Sequence, residues 1–202
     1  MFISFEGIDG SGKSTQVDVV AEWLHSMGRE VLVVREPGAT PLSEAVRGIL
    51  LDAPYSIDPT AELLLFCASR RQLVETVIRP SLAAGTIVLC DRYADSSTAY
   101  QGFGRGIPLE LVEQANMLAT GGLQPDRTFY IDISIEESQR RAQRRGEQRL
   151  DRMESAGAEF YDRVRTGYHA IAIHNERFVR LDGTEPIQGI FEKIKDTIRQ
   201  YL

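Results

Sequence analysis

Short, strongly apolar runs recur along this chain, separated by longer stretches in which apolar residues return at helical spacing. Five of the short runs are rich in β-branched and aromatic residues. They are 2–6, 31–34 (Val-Leu-Val-Val), 86–90 (Thr-Ile-Val-Leu-Cys), 127–132 (Arg-Thr-Phe-Tyr-Ile-Asp) and 177–181 (Arg-Phe-Val-Arg-Leu). Helical patterns lie between them, over about 13–27, 42–51, 59–80 and 108–120. That alternation predicts an α/β fold, a five-stranded parallel sheet with helices on both faces. The punctuation agrees. Gly28 suits a helix C-terminus, Pro80 and Gly85 bracket the end of a long helix, Pro108 opens one, and Gly121-Gly122 stop it. Ligands of such sheets bind at the carboxyl ends of the strands. The loops 7–14, 35–41, 91–104 and 182–186 should therefore crowd around one site.

The first of those loops has a specific chemistry. Residues 7–14 read Gly7-Ile8-Asp9-Gly10-Ser11-Gly12-Lys13-Ser14, after the strand and before a helix, with Thr15 next. This is the phosphate-loop pattern G-x-x-x-x-G-K-[ST] in its strand-to-helix context. Its glycines let backbone N–H groups point at a polyphosphate, and the helix dipole faces the same anion. Lys13 is placed to reach the β- and γ-phosphates, and the Ser14 hydroxyl to hold Mg²⁺.

The loop alone does not choose among switches, hydrolases and kinases. The run Val88-Leu89-Cys90-Asp91 resembles the apolar strand ending in the aspartate that organises Mg²⁺. The residue after it is Arg92, where many ATP hydrolases carry a glutamate. An arginine is no base, but it clamps a phosphoryl group bidentately, which favours transfer over hydrolysis. No guanine-selecting Asn-Lys-x-Asp sequence is present. A small kinase must also exclude water and bring cations to the transferred phosphate. Six arginines between 140 and 152 (Arg140, Arg141, Arg144, Arg145, Arg149, Arg152), broken by Gly146, fit a closing lid.

Bulk composition narrows the picture little further. At 202 residues, 43% hydrophobic and 26% charged, the chain suits one soluble domain. A net charge of −6 argues against a surface for nucleic-acid polymers. No run is long and apolar enough to span a membrane. Two isolated cysteines, Cys67 and Cys90, and a chain that starts directly as a strand point to the cytoplasm. His25, His169 and His174 lack metal-ligand spacing and read as surface or packing residues.

The segments Phe5-Glu-Gly-Ile-Asp-Gly-Ser-Gly-Lys-Ser-Thr15, Arg35-Glu-Pro-Gly38, Asp91-Arg-Tyr93, Ala99-Tyr-Gln-Gly102 and Arg145-Gly-Glu147 with Leu150-Asp-Arg152 together resemble thymidylate kinase. The resemblance runs through essentially the whole chain, and the Arg-Glu-Pro-Gly element is its most specific part. With Gly10 rather than arginine inside the phosphate loop, it is similar to the bacterial subtype whose catalytic arginine comes from the lid. The resemblance implies a single kinase domain over 1–202, with an acceptor-binding segment at about 36–80 and a lid at about 140–155. It implies transfer of the γ-phosphate of ATP to dTMP with Mg²⁺, in a homodimer.

Residue roles follow from the same resemblance. The phosphate loop 7–15 and Arg141, over adenine, would bind ATP. Ser14 and Asp91 would hold the metal. Lys13, Arg92 and a lid arginine, Arg145 or Arg149, would be catalytic. Asp9 would accept from the sugar 3′-OH, Phe66 would stack on thymine, and Arg70 would reach its O4 edge while Arg71 points elsewhere. Arg47 and Arg92 would grip the acceptor phosphate beside Pro37, with Ser97, Tyr100 and Gln101 around the base and deoxyribose. Two features depart from the family pattern. Ala39 stands where a glycine is usual, and the extra Gln148-Arg149 leaves Arg145 and Arg149 as competing candidates. Another small kinase, such as a deoxynucleoside or other nucleotide kinase, and a catalytically weak phosphate-loop regulator or ATP-binding module are the rival readings.

Overall fold

The computed structural model describes residues 1–52, 54–145 and 157–202, and the side chain of Arg145 is outside that description. Five strands, β1 (Phe2–Glu6), β2 (Val31–Arg35), β3 (Ile87–Asp91), β4 (Arg127–Asp132) and β5 (Phe178–Asp182), pair in the order β2-β3-β1-β4-β5, all parallel. All five predicted strands are present within one residue of their expected bounds. β1 is central and buried along its whole length, as a strand covered on both faces must be.

Helices α1 (Lys13–Ser26) and α9 (Ile187–Arg199) cover one face. Val17, Val20 and Leu24 of α1 meet Ile190, Ile194 and Ile198 of α9 over Ile3 and Phe5. Both helices show the i, i+4 recurrence of a single apolar stripe. α1 ends in a Schellman arrangement, with Gly28 N–H donating to His25 O (2.9 Å) and Arg29 N–H to Leu24 O (3.1 Å). On the other face, Leu73, Val74 and Ile78 pack against Phe2, Val34, Val88 and Cys90.

The long helix predicted over 59–80 is not uniform. α3 (Pro59–Leu73) is capped by the Asp58 carboxylate, which accepts from Thr60 and Ala61 N–H at 2.9 and 3.2 Å. It then passes through a π-turn at Val74–Ile78 into α4 (Arg79–Ala83). A second π-segment, Thr98–Gly104, follows the short α5 (Ala94–Ser97). Such segments concentrate at functional sites, and this one carries Tyr100 and Gln101. Helix α8 (Ala158–Ile173) lies against it. A Cβ on Gly104 would come within 2.6 Å of the Phe160 ring, so glycine sets how close the two elements sit. The remaining helices are α2 (Pro41–Asp52), α6 (Leu109–Thr120) and α7 (Ile135–Arg145).

Ala39 is at φ 67°, in the left-handed region, and exposed. The loop thus keeps the shape a glycine would give it, held by Ala39 N–H donating to Glu44 Oε1 at 2.8 Å, and the alanine carries the strain. Ala39→Gly should stabilise the fold by about 0.5–1 kcal/mol, a rise of ~2 °C in Tm. A lower Tm for that variant would show that Ala39 is not strained.

Candidate active site

The phosphate loop leaves the carboxyl end of β1, and Gly12 at φ 99° turns it into α1. Lys13 is buried. Its Nζ donates to Ile8 O at 3.0 Å and lies 3.5 Å from Ser11 Oγ, so the ammonium sits inside the loop it serves. Burial, reinforced by the Arg92 charge and partly offset by Asp91, Asp9 and Glu6, brings its pKa down to about 8. Register places the next strand's chemistry alongside. Asp91 is paired with Phe5, and Arg92 N–H donates to Phe5 O at 3.0 Å.

Ser14 Oγ donates to Asp91 Oδ2 at 2.6 Å, which brings two hard oxygen donors together at the mouth of the loop. Among the described residues no group of three or more His, Cys, Asp or Glu could hold a metal. This donor set suits Mg²⁺, which keeps waters and shares phosphate oxygens rather than sitting in an all-protein cage.

Arg92 has φ 72°, an uncommon conformation for a residue with a side chain and one found at functional sites. Its guanidinium donates to Asp9 Oδ1 (2.5 Å), Gly7 O (2.9 Å) and Tyr100 Oη (3.2 Å), and lies over the Tyr100 ring at 5.1 Å. The second oxygen of Asp9 accepts from Tyr161 Oη at 3.0 Å. Burial pushes the Asp9 carboxyl up, but Arg92 and Lys13 outweigh it and hold its pKa at about 2. Asp9 is therefore an anion with a cation already in place, which explains how a carboxylate is tolerated inside a phosphate loop.

One cleft beside this pair is lined by Asp9, Pro37, Arg47, Phe66, Arg92, Ser97, Tyr100 and Gln101, together with Glu36, Leu51 and Ser96. Eight of the nine residues expected around the acceptor line it. The ninth, Arg70, does not. It is buried and fully engaged within the protein. Nε donates to Glu36 Oε2 (2.7 Å), Nη1 to Ser97 Oγ (3.1 Å) and Asn116 Oδ1 (2.8 Å), and Nη2 to Tyr93 O (3.2 Å) and Ser97 Oγ (3.1 Å). A buried guanidinium needs all its donors matched, and these acceptors match them without a ligand. Arg71 points away and pairs with Glu75, as expected. Arg47 Nη1 donates to Pro37 O at 3.0 Å, which ties α2 to the loop after β2.

Arg141 links the phosphate loop to the loop after β5, donating to Gly10 O (3.0 Å), Ser11 O (3.3 Å) and Gly183 O (2.7 Å). Arg140 and Arg141 both pair with Glu137. Arg149 and Arg152 lie outside the described residues, as does the side chain of Arg145.

Sequence reasoning missed several members. Glu36 stands within the quoted Arg-Glu-Pro-Gly element. Its Oε1 is buried without a hydrogen-bond partner among the described residues, and burial, opposed by Arg70, raises its pKa to about 7. Glu6, the last residue of β1, accepts from Tyr93 N–H (2.8 Å), Ser96 Oγ (2.6 Å) and Tyr168 Oη (2.9 Å) and so braces the loop that carries Arg92. Both carboxylates sit inside motifs whose other residues were read first. Tyr161 and Tyr168, on α8, had no local signal at all.

Comparison with known proteins agrees with this geometry. The thymidylate kinase family model matches residues 5–194. The chain is 49% identical over 206 residues to a thymidylate kinase of Prosthecochloris aestuarii, covering 98% of this chain and 92% of that one. It is 46% identical to one of Thermosipho africanus, covering 100% and 99%. The crystal structure of thymidylate kinase from Ehrlichia chaffeensis is similar with a TM-score of 0.79 and 37% identity, over 98% of each chain.

Proposed function

We propose, for a chain that belongs to the thymidylate kinase family, that the cleft between β2, α3 and the Thr98–Gly104 segment holds dTMP and that its phosphate meets the γ-phosphate of ATP at Arg92. The reaction is phosphorylation of dTMP by ATP, giving dTDP and ADP. The observation that carries the site reading is the Asp9–Arg92 pair, which borders the phosphate loop on one side and the cleft on the other.

Phosphoryl transfer asks the protein mainly for positioning and for charge where the transition state spreads it. Arg92 and Arg47 supply two cations at one end of the cleft, for the acceptor phosphate. Asp9, held ionised, accepts from the sugar 3′-OH. Phe66 and Pro37 offer apolar faces to the base, and Tyr100 occupies the space beside the deoxyribose, which disfavours a 2′-OH. Arg70 takes a different part from the one the resemblance implied. It reaches the base edge only by way of Ser97, whose hydroxyl it holds with two N–H groups. On the donor side, Lys13 leaves its carbonyl partner for the β- and γ-phosphates, and Arg141 lies over adenine. Ser14 and Asp91 would hold Mg²⁺, which would neutralise negative charge on the phosphates. A lid over about 140–155 brings Arg145 or Arg149 to the transferred group.

We place the enzyme in the cytoplasm as a homodimer of single-domain chains, each with its acceptor-binding segment at about 36–80. Among the described residues no helix is long and apolar enough to cross a membrane. Helices α2, α3 and α6 pack side by side and expose Leu42, Ile49, Leu64, Leu111 and Leu118, a surface that supports self-association.

The test is ADP release with different acceptors. It should be fast with dTMP, slow with no acceptor, and no faster with thymidine, which lacks the accepting phosphate. ADP release that ignores dTMP would favour the regulatory-module reading, and stimulation by thymidine would favour a nucleoside kinase.

A further inference from the structure

Gln101 lies on the cleft wall with its side-chain amide in a fixed orientation, and the cause of that orientation is outside the cleft. Its Nε2 donates to Glu62 Oε1 at 2.9 Å. Glu62, on α3, is fully buried and is gripped by Arg105, whose Nε donates to Oε1 and Nη2 to Oε2, each at 3.1 Å. Arg105 is itself anchored over the Phe160 ring at 4.5 Å. A carboxylate paired with an arginine only accepts hydrogen bonds. Gln101 must therefore turn its NH₂ group toward Glu62, which leaves its carbonyl Oε1 as the amide atom free for the cleft.

We propose that Glu62, paired with Arg105, is a specificity-determining residue that acts through Gln101: it makes the site present an acceptor, and so select a pyrimidine whose N3 carries a proton. This rests on the cleft being the dTMP site. Thymine and uracil carry N3–H and satisfy the Gln101 carbonyl. Cytosine presents a bare N3, an acceptor facing an acceptor, and both are left unpaired. Glu62 touches no substrate atom. Its influence is to forbid the flipped amide, in which Gln101 would donate to N3 and welcome cytosine.

Glu62→Gln keeps the shape and removes the prohibition, since the new amide both donates and accepts. The ratio of kcat/KM for dTMP over dCMP should fall by roughly tenfold or more. The ratio of dTMP over dUMP should stay within about twofold, because both bases carry N3–H. In a Gln101→Ala background the Glu62→Gln change should leave the dTMP/dCMP ratio unaltered. Arg105→Gln, at a partly exposed position, should move the ratio the same way, because removing positive charge from beside a buried carboxyl favours its protonated form, which can donate. This variant carries the test should Glu62→Gln not fold. A dTMP/dCMP ratio unchanged in the folded variant would overturn the proposal. So would a loss that persists in the Gln101→Ala background or falls equally on dUMP, since either marks a purely structural role. Wild-type enzyme that prefers dCMP would instead overturn the dTMP reading on which the proposal rests.

Discussion

Lys13→Ala should lower kcat by roughly 10²–10³-fold while leaving a folded protein. Lys13 is buried, but it packs into the loop rather than the core, and its Nζ is held by one backbone carbonyl and a longer contact to a hydroxyl. In the free protein its charge is already costly, since burial and Arg92 bring the pKa down to about 8. A bound polyphosphate would reverse that balance by adding anionic charge next to Nζ. Removing Lys13 deletes charge where the transition state spreads it, so kcat should fall further than ATP affinity. The same shift has a pH signature. The free enzyme loses this proton as pH rises through about 8, so KM for ATP should rise above that value in the wild type and stay flat in Lys13→Ala. Steady-state kinetics with a melting curve check both parts. A stable variant with near-normal turnover would contradict the phosphate-transfer mechanism.

What could be read in the sequence was what is encoded locally. The strand, the phosphate loop and α1 form one contiguous unit, and each residue type in 7–14 has its own backbone or phosphate task. Asp91 and Arg92 were legible because an apolar strand announces its own end, and the register of β3 beside β1 carries them to the loop. Arg70 was legible only as a cation on an apolar helix. Its partners are Glu36, Tyr93, Ser97 and Asn116, up to 46 residues away, and no local pattern says that four acceptors will meet one guanidinium. Tyr161 reaches Asp9 across 152 residues and shares the difficulty. The π-turns at 74–78 and 98–104 insert extra residues into helices whose apolar spacing looks continuous, so a single helix was expected over 59–80. Ala39 shows the limit of a conformational argument. Alanine resists positive φ, yet the loop takes it, because the surrounding contacts, including the Glu44 carboxylate on its N–H, outweigh a cost of about 1 kcal/mol.

Discrimination among acceptor bases is the second large effect expected. On the site reading proposed above, the cleft would offer the base an apolar face at Phe66, the Ser97 hydroxyl backed by Arg70, and the Gln101 carbonyl backed by Glu62. Thymine matches all three. Uracil lacks only the methyl group, worth roughly 1–3 kcal/mol in a fitted apolar pocket, so dUMP should lose about 10- to 200-fold at most. Cytosine also lacks the methyl group and in addition reverses the hydrogen-bonding edge at both N3 and C4, and a buried polar group without its partner costs about 1–3 kcal/mol each. Rejection of dCMP should therefore exceed that of dUMP by a further factor of roughly 10² or more. Adenine presents neither the edge nor the size of a pyrimidine. The decisive measurement is kcat/KM for dTMP, dUMP, dCMP and AMP with saturating ATP under one set of conditions. dTMP should rank first, dUMP next, and dCMP and AMP far below. A value for AMP or dCMP equal to or above that for dTMP would contradict the assignment of the cleft to thymidylate.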